Sequence, residues 1–173
     1  MQRTKILDFP ANYRLLDGDV DDLPRLAPLS PDGLAVGISA DGREFVLVLP
    51  DGGGEYGAGV FLASTPDPDT LLVGAFGEAY LVTLTDPIQV KGLTCFAASA
   101  CAAFPKKGAL VVVDFLGLTC IGAQGVAWTS SHLSDDVIRF VGQDDDNIIL
   151  NTYSAPDAAW STNRFPISLE TPL

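Results

Sequence analysis

The sequence predicts an all-β fold in a single β-rich domain, residues 1–173, built from about four consecutive antiparallel strand units. Three observations predict it. The apolar segments are short, rich in Val, Ile, Leu, Phe and Tyr, and bounded by Gly, Pro, Asp or Asn, which is the signature of strands joined by tight turns. The segments that open hairpins begin at Leu34, Leu71, Leu110 and Ile148, at intervals of 37, 39 and 38 residues. A spacing in that range points to a recurring supersecondary unit. Only one stretch, residues 93–104, has a composition that favours helix, so little helix is expected. A four-stranded propeller blade occupies a similar length, and a β-sandwich or barrel of evenly spaced hairpins fits the same pattern.

Taken in order, residues 6–16 alternate weakly and predict an N-terminal edge strand. Residues 19–29 hold Pro24 and Pro28, which leaves room for a helical turn at most. Segments 34–39 and 44–49 flank Ala40-Asp41-Gly42-Arg43, a hairpin with Asp-Gly at its centre. Residues 60–64 read as a further strand. Segments 71–76 and 79–84 flank Gly77-Glu78. Residues 93–104 stay open between two readings. Their alanines favour helix, with Pro105 and Gly108 to end it, while their place in the spacing asks for a strand that Thr94, Cys95 and Phe96 tolerate. Segments 110–115 and 118–123 flank Leu116-Gly117. Residues 137–141 form another strand. Segment 148–153 is followed by Trp160 and by residues 165–169, across a looser turn with Pro156 and Asp157.

Hydrophobic residues make up 47 % of the chain and charged residues 18 %, a globular balance that is too apolar for disorder. At 173 residues the chain is long enough to bury a sizeable core. No apolar run approaches the roughly 20 residues that span a bilayer. The N-terminus carries charge in Arg3 and Lys5, but Asp8, Pro10, Asn12 and Arg14 interrupt the apolar run a secretory signal needs. The chain therefore reads as cytoplasmic, bacterial in style and complete from its own Met.

The net charge is −12, from 22 acidic and 10 basic residues. Nucleic acid and anionic membrane surfaces are excluded as partners, because both need a basic stripe and the longest basic run is Lys106-Lys107. The charge either keeps an apolar β-protein soluble or favours a basic protein partner. Cys95, Cys101 and Cys120 read as small buried hydrophobes of a reducing compartment. With His132, the only histidine, they lack the paired spacing of a zinc site, so no metal or cofactor is expected.

Four motifs resemble chemistry and each has a structural reading. The glycine run 52–59 contains G-x-G-x-x-G, but between two strand-like segments rather than before a helix, so a hairpin tip explains it. Asp17, Asp19 and Asp21 alternate like calcium ligands, yet Asp22 and Pro28 stand where glycine and glutamate are required. Asp144-Asp145-Asp146-Asn147 is an acidic turn between strands, open to calcium or to solvent alone. Residues 128–136 gather Ser130, Ser134, His132, Asp135 and Asp136. They lack the G-x-S-x-G elbow, although His132 is suited to general-base work near neutral pH. Trp128 and Trp160 each stand near the end of a strand unit, as core plugs between sheets or as anchors for a partner.

The segments Val126-Ala127-Trp128-Thr129-Ser130, Leu133-Ser134-Asp135-Asp136-Val137-Ile138 and Asp146-Asn147-Ile148-Ile149, followed by Trp160 and Phe165-Pro166-Ile167-Ser168-Leu169, resemble a pattern in small uncharacterised bacterial β-proteins. Asp136 stands here where that pattern has glycine. The resemblance covers roughly residues 110–170 and implies a fold like part of a propeller, with no assigned activity. The functional expectation is a non-catalytic binding module for a protein partner, with Trp128, His132, Asp135 and Trp160 as contact candidates. The alternatives are a small hydrolase using His132 with nearby acids, or a structural subunit of a homo-oligomer.

Overall fold

The computed structural model describes residues 4–6, 8–17, 21–26, 33–50, 60–130 and 132–170. The fold is all-β. Its strands are β1 (Thr4–Ile6), β2 (Tyr13–Leu15), β3 (Arg25–Leu26), β4 (Gly33–Ala40), β5 (Arg43–Pro50), β6 (Phe61–Ser64), β7 (Thr70–Ala75), β8 (Glu78–Thr83), β9 (Gln89–Gly92), β10 (Ala100–Phe104), β11 (Ala109–Val113), β12 (Leu118–Gly122), β13 (Gly125–Thr129), β14 (Arg139–Gln143), β15 (Asn147–Ser154) and β16 (Ala159–Pro166). One 3-10 turn, Pro105–Lys107, is the only helical element among the described residues. No helix there is long and apolar enough to cross a membrane.

The strands form four open sheets, ordered β2-β4-β5-β3, β1-β6-β7-β8-β9, β10-β11-β12-β13 and β14-β15-β16. None closes into a barrel, so that alternative is not formed. All pairings are antiparallel except β1 with β6 and β3 with β5. The weakly alternating N-terminal stretch becomes two strands in two sheets rather than one edge strand. It ties the first sheet to the second, with Asn12 N–H donating to the Pro68 carbonyl at 2.9 Å and Phe9 N–H to Ser64 Oγ at 3.0 Å.

Three apolar layers lie between successive sheets. Val36, Ile38, Phe45 and Leu47 of the first sheet meet Leu62, Leu71, Val73 and Val82 of the second. Phe61, Leu72 and Leu81 of the second meet Cys101, Leu110, Val112 and Ile121 of the third. Phe104, Val111, Leu118 and Cys120 of the third meet Ile148 and Leu150 of the fourth. The period-2 geometry of a strand explains why the central strands read as unbroken apolar runs. In β7, Leu71 and Val73 face one layer and Leu72 the next, and every residue of β7 and β11 is buried. The outermost sheet differs. In β15 only Ile148, Leu150 and Thr152 are buried, so the opposite face is left to solvent.

The turns follow their residues. Asp41-Gly42 closes the β4–β5 hairpin with φ of 51° and 71°, the left-handed pair that a two-residue hairpin loop requires. The β7–β8 turn is centred one residue earlier than the sequence indicates, on Phe76-Gly77, with φ of 50° and 93°. Residues 93–104 resolve as an irregular link followed by strand β10. Pro105 and Gly108 bound the 3-10 turn instead of ending a helix, Gly108 taking the left-handed φ of 59°. The expected strand at 137–141 lies two residues later, as β14. The 52–59 glycine run, Asp19 and Pro28 lie outside the described residues.

Candidate functional site

Trp128 and Trp160 have opposite fates. Trp128 in β13 is 7 % exposed, belongs to the layer between the third and fourth sheets, and donates its indole N–H to the Ser168 carbonyl at 2.6 Å. It is a core plug with its polar atom satisfied. Trp160 in β16 is 41 % exposed. Register places it directly opposite Tyr153 of β15, on the face of the fourth sheet that turns away from the third.

That outer face gathers a cluster. The Tyr153 ring lies 5.5 Å from the Trp160 ring, centroid to centroid, at a 52° tilt. The Arg139 guanidinium sits 4.5 Å above the Trp160 ring, a cation–π contact. Beside it, Thr162 Oγ1 donates to Asn151 Oδ1 at 2.7 Å, and Arg139 is the register partner of Asn151. The charge of Arg139 is distinctive in an acidic chain. Arg14, Arg25, Arg43, Lys106, Lys107 and Arg164 each pair with a carboxylate. Among the described residues, only Arg139 and Lys91 of the cations with described side chains do not.

Ser130, Ser134, Asp135 and Asp136 serve the backbone. Ser134 Oγ accepts from Tyr153 N–H at 2.8 Å, and Ser130 Oγ accepts from Leu118 N–H at 2.8 Å. Asp135 Oδ2 accepts from Ala155 N–H at 2.8 Å and Asp136 Oδ1 from Val137 N–H at 2.8 Å. His132 is exposed at the rim of a shallow cleft of about 290 Å³, shared with Cys95, Asp114 and Ser130. Asp114 is itself engaged, accepting from the N–H groups of Leu116 and Gly117 at 2.9 and 2.6 Å. No hydrogen bond joins His132 to an acid among the described residues.

Burial pushes all three thiols up, Cys95 to about 11, Cys101 to about 12 and Cys120 to about 11. At neutral pH they are protonated and behave as apolar groups. Cys95 is raised further by the charges of Asp114 and Glu78. Among the described residues, no three His, Cys, Asp or Glu side chains come together to hold a metal.

The acidic turn at 144–147 has an explanation the sequence did not offer. The Asp145 and Asp146 carboxylates meet Lys106 and Lys107 of the 3-10 turn, and Asp144 meets Arg164 at 2.9 Å. The longest acidic run and the longest basic run of the chain thus face each other. The signal for the Trp160 cluster was present but hidden. The four-residue turn 155–158 sets Ser154 against Ala159, and one step further Tyr153 against Trp160; without that turn length the pair cannot be read. No protein-family model matches this sequence, and no curated protein matches it.

Proposed function

We propose that the protein is a non-catalytic binding module that recognises a protein partner through the outer face of its fourth sheet. The observation that carries this reading is the exposed Trp160, held between Tyr153 and the unpaired Arg139. Tryptophan, tyrosine and arginine are the residue types that dominate binding energy in protein interfaces. Here they sit on strands rather than on a mobile loop, so little ordering is needed on contact. The net charge of −12 favours a partner with a basic surface, by speeding encounter at long range. At short range the guanidinium of Arg139, stacked on Trp160, offers its N–H edge to carbonyl or carboxylate groups of that partner.

The hydrolase alternative has less support, because Ser130, Ser134, Asp114, Asp135 and Asp136 all accept backbone hydrogen bonds. The test is a comparison of wild type and Trp160→Ala as immobilised baits in extract from the source cells, with Glu78→Ala, an exposed change on β8, as control. The reading expects a basic protein retained by wild type and by Glu78→Ala. Titration of that purified protein should then show a loss of about tenfold or more with Trp160→Ala, the scale of one interface anchor. Equal retention by all three baits would overturn it. A self-association by light scattering that Trp160→Ala abolishes would replace it with the homo-oligomer reading.

A further inference from the structure

The two inner sheets share a cross-strand row that ends in opposite chemistry. In the second sheet, register aligns Ala63, Leu72, Leu81 and Lys91 across β6 to β9. In the third sheet it aligns Ala102, Val111, Cys120 and Trp128 across β10 to β13. Ala63, Leu72 and Leu81 face the layer below the third sheet. Ala102, Val111, Cys120 and Trp128 face the layer below the fourth. The rows are equivalent strand by strand, and Lys91 occupies the place that Trp128 occupies one sheet later.

The consequence is a cavity. Trp128 closes the outer end of the gap between the third and fourth sheets. Lys91 leaves the corresponding gap between the second and third sheets open, as a wedge of about 400 Å³. That volume lies within the range of small-molecule sites, roughly 300–1,000 Å³. Its floor is Leu81 and Ile121, both from the apolar layer. Its rim carries the amides of Gln89 and Gln124 and the hydroxyl of Thr83 with Lys91. Lys91 has no carboxylate partner among the described residues, whereas six other cations do. Asp67 also borders the wedge and keeps its negative charge; its two oxygens accept from Asp69 N–H and Thr70 Oγ1, at 3.1 and 2.7 Å, and it makes no ion pair with Lys91.

We infer that this wedge is a binding site for a small hydroxylated organic anion, its carboxylate on Lys91 and its body between the glutamine amides and the Leu81–Ile121 floor. The site lies on a different sheet interface from Trp160 and does not rest on the protein-partner reading. An apolar floor with a few convergent polar groups is the usual composition of such a site, and Lys91, the one cation of its lining, makes no ion pair among the described residues that an incoming carboxylate would have to displace. Lys91 is exposed and its attraction is screened, so binding is weak, on the order of 1 mM.

The test is an amide-resolved NMR titration of the full chain with gluconate, with glucose as the neutral control and inorganic phosphate as the charge-only control. The inference expects saturable gluconate shifts at residues 89–91 and 122–125, at least about tenfold weaker with glucose and with phosphate. Lys91→Met should weaken gluconate by a similar factor. Lys91→Trp, which copies Trp128 into the wedge, should abolish the shifts while the spectrum stays folded. No saturable shift with gluconate would overturn the inference. So would gluconate shifts that survive both variants, or phosphate binding as tightly as gluconate.

Discussion

Asp144 accepts three hydrogen bonds through one carboxylate oxygen, from Asp146 N–H, Asn147 N–H and Asn147 Nδ2 at 2.8–2.9 Å, and meets Arg164 through the other. These bonds, the backbone N–H of Asp146 first, hold its carboxyl below the usual carboxylate range, with Arg164 adding to the effect. A carboxyl depressed on folding stabilises the folded state above its unfolded-state value, and that contribution is lost as pH falls through the folded-state value. Asp144→Ala is therefore expected to lower Tm by a few degrees at pH 7, with the gap to wild type closing as the pH is taken below the usual carboxylate range. Thermal melts across that span check it, and a gap that is constant with pH would refute it. The aspartate was legible in the sequence as a turn residue. Its cationic partner was not, because Arg164 comes from an element whose packing no local pattern encodes. The same limit applied to the two tryptophans. Both stand near a strand end, and only register separates the buried Trp128 from the exposed Trp160.

At the scale of elements, hairpins were legible where turn chemistry is local. Asp41-Gly42 fixed one turn to the residue. Phe76-Gly77 was displaced by one, because a phenylalanine with φ of 50° is a conformation that residue-type preference argues against. Strand β9 gave no signal at all: Gln89–Gly92 is short and mostly exposed, so it carries no apolar alternation. Residues 93–104 were ambiguous because alanine, a good helix former, is used in β10 for close sheet packing, where Cys101 and Ala103 face one layer and Ala102 and Phe104 the other. Gly74 shows a tighter constraint of the same kind. It pairs with Phe61, whose ring lies over it, and a Cβ there would fall 2.1 Å from the ring. Gly74→Ala is expected to destabilise by about 1–3 kcal/mol, as overpacking of a filled core does. Phe61→Leu in that background should recover part of the loss, since the two sites share one contact. Urea unfolding of the two single variants and the double variant measures this, and strict additivity would contradict it.

At the scale of the molecule, the four hairpins at intervals of 37, 39 and 38 residues became one strand pair in each of four separate sheets: β4–β5, β7–β8 and β11–β12 as inner pairs, and β15–β16 with β16 on the edge. The spacing was legible because each hairpin makes the same local demand: two short strand segments, a turn between them, and then a link to the next sheet. The stacking order was not, since alternating residues of one strand serve two different layers and the sequence does not say which. The central claim is that the sheets pack face to face in chain order, with no core shared by the described residues of the first and fourth sheets. Methyl–methyl NOE spectroscopy on Ile, Leu and Val side chains tests it most directly. The structure predicts cross-peaks joining Ile38 or Leu47 to Leu71 or Val73, Leu72 to Leu110 or Val112, and Val111 or Leu118 to Ile148 or Leu150. It predicts none between Val46 or Val48 of the first sheet and Ile149 of the fourth. Cross-peaks between those outer methyls would show a closed ring, and loss of the Leu72 contacts to Leu110 and Val112 would show that the second and third sheets do not share a core; either result would contradict the account.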